Sequence, residues 1–266
     1  MGYLSLSYTD MLVALTLILI PVVISFQSKL GIEKEILIST FRTFIQLMII
    51  GYILKYIFNI RTWYLILLMI LLMTFVAGYN AVKRQKVKIP HLFILITGSI
   101  FLGAVITVGS LIFIILHVSP WYEPQYIIPV FGMMLGNAMN AAALAVDRLI
   151  SETSNRRWEV EAALALGASP FKAINPMLRE SARAAMMPTI NSMMVVGIVQ
   201  LPGMMTGQII GGVAPEQSVR YQIVIMYMLM ASVTISCITI LYLLYRKLFT
   251  GEEQLLTEFL NTFKAF

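Results

Sequence analysis

The residues most able to do chemistry are amides and charged groups set inside otherwise apolar runs. Asn137 and Asn140 are three apart, which on a helix puts them on one face. Asp147 follows them. Arg42 and Gln46 are four apart, one helical turn. Asn191, Gln200 and Gln208 are spread along a third apolar run. In lipid such groups are costly, so they face a partner helix or a water-filled path. Together they could pass a polar solute. Each also has a plainer reading. Neutral amides hold helices together. Arg42 lies only about 9 Å from the near end of its run at 1.5 Å per residue, so it can snorkel to the interface.

Leu201-Pro202-Gly203 interrupts the run that holds these three amides. Proline removes a backbone donor and crowds the preceding turn. Freed carbonyls are tolerated in a bilayer only where protein or a cavity satisfies them. A helix broken at mid-membrane is a usual setting for a substrate site; a plain kink is the other reading. Gly203, Gly207 and Gly211 recur every four residues, as do Gly132 and Gly136. Such stripes let backbones approach, within one chain or at a seam between two copies.

Metal ligation has no clear signature. His91 and His117 sit at opposite ends of one apolar run and cannot share an ion. The 18 methionines suit soft ions such as Cu(I) better than Fe²⁺, and also suit adaptable packing. The single cysteine, Cys237, can form no internal disulfide and reads as an ordinary helix residue.

The elements that must position these residues follow from composition. Hydrophobic residues make up 59% of the 266 and charged residues 12%, against about 25% charged in ordinary globular proteins. No soluble fold hides that much apolar surface. A spanning helix needs about 20 mainly apolar residues. Seven segments qualify: Tyr8–Phe26, Ile36–Leu54, Trp63–Val82, His91–His117, Tyr126–Val146, Met187–Gly211 and Tyr221–Tyr245. The first ten residues carry no Lys or Arg, so the first run is expected to be a retained helix and not a signal peptide.

The net charge of +6 does not point to nucleic acid, because the charges sit in short clusters between apolar runs. Lys29, Lys34, Lys83, Arg84, Lys86 and Lys88 fall on one side of the expected alternation. The six basic residues from Arg148 to Arg183 join them, as do Arg246, Lys247 and Lys264. Only Lys55, Arg61 and Arg220 fall on the other. By the positive-inside rule Met1 is outside and Phe266 is cytoplasmic. The reading is an all-α integral membrane protein of about seven spans, one domain over residues 1–266, multi-pass in the cell membrane.

One connection is long, at about 147–186, and it is expected to be cytoplasmic and helical. Trp158 to Leu166 has good helix propensity. Gly167 suits the position past a helix end, Ser169 an N-cap and Pro170 the first position of a new helix. A second, short helix is expected, limited or kinked by Pro176, with Phe171, Ile174 and Leu178 as an apolar knob on one face. Such a corner could be gripped by a cytosolic motor, or could lie flat on the membrane interface.

Within that loop, Glu161-Ala162-Ala163 followed by Leu166-Gly167-Ala168-Ser169 resembles the EAA loop of ABC permeases. Met187-Pro-Thr-Ile-Asn191 and Gln200-Leu-Pro-Gly-Met-Met-Thr-Gly-Gln-Ile-Ile-Gly211 extend the likeness. So do Arg42-Thr-Phe-Ile-Gln46-Leu47, and Gly132-Met-Met-Leu-Gly-Asn137-Ala-Met-Asn140 leading to Asp147-Arg148-Leu149. Across nearly its whole length the chain resembles the iron-export permease family of the FetB type, with its plant aluminium-tolerance relatives.

The resemblance implies a membrane subunit that exports a metal ion, iron, using ATP and Mg on a separate cytosolic ABC ATPase. It implies a coupling site of Glu161, Ala162, Gly167, Ser169, Phe171, Ile174 and Arg179. A pathway is expected along Arg42, Gln46, Asn137, Asn140, Asp147, Asn191, Gln200, Pro202 and Gln208. The other expected partners are a second copy of the chain and the lipid bilayer.

The chain itself has no Gly-x-x-x-x-Gly-Lys-Ser/Thr to cradle phosphates, so no bound cofactor is expected. It has no Gly-x-Ser-x-Gly and no His-Glu-x-x-His, so it is not expected to be an enzyme. Export of a sugar nucleotide or lipid-like solute is the alternative within the class. A seven-helix receptor is the alternative outside it, and it would leave the long loop without a purpose. A retinal protein needs a Lys in its last span, and Tyr221–Tyr245 has none.

Overall fold

A computed structural model of the chain describes residues 7–60, 62–85, 87, 89–117 and 120–256. Met1, Arg61, Lys86, Lys88, Lys264 and Phe266 lie outside them. The chain divides into two units, Met1–Arg61 and Thr62–Phe266.

The first unit begins with a capping box. Ser7 Oγ accepts the Thr9 N–H, and Asp10 Oδ2 accepts the Ser7 N–H at 2.8 Å. The expected first span is two helices in series, α1 (Tyr8–Thr16) and α2 (Leu19–Gln27). Pro21 sits in the first turn of α2, where its missing N–H has no intrahelical partner to lose. Ser25 Oγ donates to Glu33 Oε1 at 2.7 Å and ties α2 to the start of α3 (Glu33–Ile60). The α3 side chains are exposed along most of its length, Arg42 and Gln46 among them. In a bilayer that surface meets lipid or another helix.

The second unit is a helical bundle. It holds α4 (Trp63–Lys83), α5 (Leu92–Ser110, extended by a π-turn at Leu111–Ile115) and α6 (Pro124–Asn155). Then come α7 (Arg157–Ala165), α8 (Pro170–Val195), α9 (Gly203–Ile210) and α10 (Pro215–Tyr245). α6 is central, packed on α4, α5, α8 and α10. Its Ala138, Ala142 and Ala145 are fully buried. With no hydrophobic force between helices in lipid, small residues earn contact by close approach. The same device joins α5 to α10. A Cβ on Gly103 would lie 2.7 Å from the Ser232 carbonyl oxygen, so only glycine fits there.

Among the described residues six stretches are long and apolar enough to cross a bilayer. They are Thr9–Gln27, Glu33–Ile60, Trp63–Lys83, Leu92–Ile115, Pro124–Asn155 and Pro215–Tyr245. Each matches an expected span, and most run longer because helices continue past their apolar core until something stops them. Pro124 and Pro215 open α6 and α10 at positions where proline costs no hydrogen bond. The protein is an all-α, multi-pass membrane protein.

Two expectations are corrected. The sixth expected span, Met187–Gly211, is interrupted, but earlier and over a longer stretch than Leu201-Pro202-Gly203: α8 ends at Val195 and α9 starts at Gly203. Nor does a short helix end near Pro176. α8 runs from Pro170 through both Pro176 and Pro188 to Val195. The expected corner helix and the first part of the expected sixth span are therefore one rod.

Candidate functional site

Two glycine joints bound α8. The first is the corner after α7. Gly167 has φ +84°, a conformation that disfavours any side chain. The Ala168 N–H donates to Ala163 O at 3.0 Å and the Gly167 N–H to Leu164 O at 2.9 Å, a Schellman closure. Ser169 is then extended (φ −65°, ψ 154°) and Pro170 begins α8. Ser169 occupies the N-cap by backbone alone, without a side-chain bond.

The corner carries paired charges. Arg156 Nη2 lies 2.7 Å from Glu159 Oε2 and Arg157 Nε 2.6 Å from Glu161 Oε1. The hydrogen bond from Arg156 holds the Glu159 carboxyl below its usual range. Arg156 also reaches Glu180 of α8 at 3.7 Å. Of the expected knob, Phe171 is half-exposed, its ring 5.5 Å from that of Tyr245. Ile174 is fully buried, and Leu178 is only partly exposed. Ile174 belongs to the packing beneath the corner and offers no surface to a partner. Trp158 and Leu166 are the exposed apolar groups here, Leu166 at 89%. Ala162 and Arg179 are exposed too. An open depression of about 600 Å³ lies beside the corner, between Gly167 and Ser169 on one side and Glu252, Glu253 and Leu255 on the other.

The second joint spans residues 196–202. Gly197 again has φ +84°. Val195 O accepts the N–H groups of Ile198, Val199 and Gln200, and the Gly197 N–H donates to Gln200 O at 2.9 Å. Three of the turn's N–H groups are thus gathered on one carbonyl. Pro202 precedes α9, which closes in a second Schellman motif from Val213 N–H to Gln208 O and Gly212 N–H to Ile209 O.

This joint lies against a cavity of about 330 Å³ between α6, α8, α9 and α10. Its polar lining is Asn137, Asn140, Thr189, Ser192, Gln200 and Gln222. Arg84, at the end of α4, donates from Nη1 to Asn140 Oδ1 at 2.9 Å. Asn137 Nδ2 donates to Met133 O at 2.9 Å, the usual bond of a helical amide to its own preceding turn. A second cavity of about 470 Å³ shares Val196, Gln222 and Met226 with the first. Met193, Met205 and Tyr227 line its far wall.

Of the expected pathway residues, Asn137, Asn140, Gln200 and Pro202 meet at the first cavity. Asn191 is exposed, Asp147 is half-buried off the lining, and Gln208 Oε1 is buried without a partner elsewhere on α9. Arg42 and Gln46 belong to the first unit. Gln222, Thr189, Ser192 and Arg84 are not among the expected pathway residues. Gln222 falls at the very start of an expected span, where an amide reads as an interfacial residue. Ser and Thr within helices usually bond their own backbone and carry no signal.

The family model described as "Uncharacterised protein family (UPF0014)" matches residues 8–249. The chain belongs to the UPF0014 family. Three relatives fit the motif resemblance. "Probable iron export permease protein FetB" of Escherichia coli (strain K12) is 41% identical, over 91% of this chain and 92% of its own. "UPF0014 membrane protein YjkA" of Bacillus subtilis (strain 168) is 40% identical, over 96% and 98%. "Protein ALUMINUM SENSITIVE 3" of Arabidopsis thaliana is 37% identical, over 92% and 88%. No solved structure matches this UPF0014 chain.

Proposed function

We propose that this UPF0014 chain is the permease half of an ABC transporter that exports a metal ion, iron, driven by a separate cytosolic ATPase. The observation that carries the reading is the continuity of α8. One helix starts at the Gly167 corner and ends at Val195, next to Val196 in the cavity wall. An ATPase that grips the corner moves the wall of the cavity directly, with no slack between them. The name of the Escherichia coli relative supports iron and export.

In this reading α8 and α9 together make the sixth of seven crossings, broken at residues 196–202. The first crossing enters from outside and the basic clusters face the cytoplasm. Two copies, related by the twofold symmetry commonest in oligomers, pair with two ATPase subunits. The test is ATP turnover by the co-purified complex in liposomes. Fe²⁺ should stimulate it, and loaded vesicles should lose or gain iron only with ATP. A chain that binds no ATPase, or an ATPase unmoved by any metal, defeats the proposal.

A further inference from the structure

The inference concerns the form in which the ion occupies the cavity, and it rests on the metal-export reading. The lining could not neutralise a bare divalent ion. Its polar groups are four carboxamides and two hydroxyls, all neutral. Among the described residues no group of three or more His, Cys, Asp or Glu could hold a metal. The thioethers of Met133, Met204 and Met226 are soft donors, poorly matched to an ion that prefers oxygen and nitrogen. Among the described residues, Arg84 is a cation bonded to the lining, an exposed guanidinium that donates to Asn140. Its charge repels a cation, bare or hydrated, and attracts an anionic shell. Stripping an ion of its shell in a low dielectric, with no anionic ligand to replace it, is strongly unfavourable.

The same groups suit the outside of a ligand shell. Carboxamides and hydroxyls both donate and accept. An ion with six waters occupies about 200 Å³ at ~30 Å³ per water, which the cavity of about 330 Å³ holds with room to spare. Gln222 is the most specific feature. It is 6% exposed, it lines both cavities, and its Oε1 is buried with no hydrogen-bond partner. A buried acceptor left without a donor is destabilising and rare. Its terminal torsion is broad, so a small rotation offers the oxygen to a donor that arrives in the cavity.

We propose that the cavity takes a metal ion already wrapped in its own ligands, with Gln222 and the neighbouring carboxamides hydrogen-bonding the shell and no side chain touching the metal. The shell could be water or an anionic oxygen chelate; the chemistry shared by both is outer-sphere hydrogen bonding.

Substitution-inert complexes separate the cases. Mn²⁺ binding to the full chain in lipid nanodiscs would be measured by electron paramagnetic resonance. Hexaamminecobalt(III), a shell of donors, and tris(oxalato)cobaltate(III), a shell of acceptors, are the competitors. Competition by the hexaammine identifies an aqua ion, and competition by the oxalate complex an anionic chelate; either supports the proposal. Gln222→Leu should weaken binding of the competing complex tenfold or more while raising the thermal midpoint, because an orphaned acceptor is gone. A residue that served packing alone would leave binding unchanged, and that result overturns its role. Gln222→Met, closer in shape, replaces the Leu variant if that one does not fold. If Mn²⁺ binds and neither inert complex competes, the metal is held directly; the proposal falls and the transport reading stands. If nothing binds and no metal stimulates the ATPase, the metal-export reading falls and takes the proposal with it.

Discussion

The two ends of α8 are built from the same part and set in different surroundings. Gly167 and Gly197 have the same φ of +84°. At Gly167 the neighbours are ion pairs, Arg156 with Glu159 and Arg157 with Glu161, and the next helix starts with Ser169 and Pro170. At Gly197 the neighbours are Ile198 and Val199, which are 89% and 79% exposed and whose side chains carry no polar atom. The first joint can leave its loose ends to the charges around it. The second joint gathers its own donors instead, with Val195 O taking three N–H groups. The comparison teaches that one left-handed residue can turn the chain sharply in charged or in apolar surroundings. What surrounds the stop tells a surface grip from a wall.

The largest effect should come from under the first joint. Ile174 is fully buried, and Ile→Ala truncation in a packed core costs about 2–5 kcal/mol. Ile174→Ala should therefore lower the thermal midpoint clearly, while any folded fraction binds the ATPase normally. Lost docking without lost stability would return Ile174 to the exposed knob and undo the distinction between grip and core.

Next come the joints. A side chain in the left-handed region costs about 1–2 kcal/mol, enough to shift a corner with few other restraints. Gly167→Leu should reduce metal-stimulated ATP turnover about tenfold, with membrane insertion intact. Gly197→Leu should leave ATPase binding intact and lower transport, because it disturbs the wall and not the grip. If both variants lose ATPase binding, the two joints do not divide the work as described.

Phe171 should matter less than the corner itself. It is half-exposed and stacks edge-on with Tyr245. A buried aromatic anchor can be worth 2 kcal/mol or more, and a half-exposed one about 1 kcal/mol on the same scale. Phe171→Ala should weaken co-purification of the ATPase about fivefold. Lys172→Ala, the smallest change, alters an exposed charge and should leave ATP turnover within twofold. A Lys172 effect larger than that of Phe171 would make the corner an electrostatic contact and not an apolar one.

Much of this was legible along the chain. Apolar runs long enough to span a bilayer declare themselves, because lipid forces every backbone group into a helix. The Gly167-Ala168-Ser169-Pro170 corner was readable residue by residue, since cap and turn preferences act over a few neighbours. Pro202 correctly marked a helix interruption near Gln200. Two things misled. Pro176 suggested a helix end or kink and Met187 the start of a new span, yet α8 continues through Pro176 and Pro188, held by packing of its buried face at Ile174, Met177 and Ser181. And a 3.6-residue face drawn on a short helix made Ile174 look like part of an exposed knob.

The sequence by itself determined that the protein is helical and membrane-spanning, where its chain turns sharply, and which amides sit in apolar surroundings. These follow from local rules: solvent, backbone satisfaction and the conformational limits of glycine and proline. Only the tertiary structure decided which amides meet. Asn137, Gln200 and Gln222 come from three separate elements, and their convergence on one cavity depends on how α6, α8 and α10 pack. Helix packing in lipid is set by close approach of small side chains over long sequence distances, and no local pattern reports it. The same packing left Gln222 Oε1 without a partner and sealed Ile174 away from the surface, two facts that shape the function and that neither residue's neighbours in sequence could reveal.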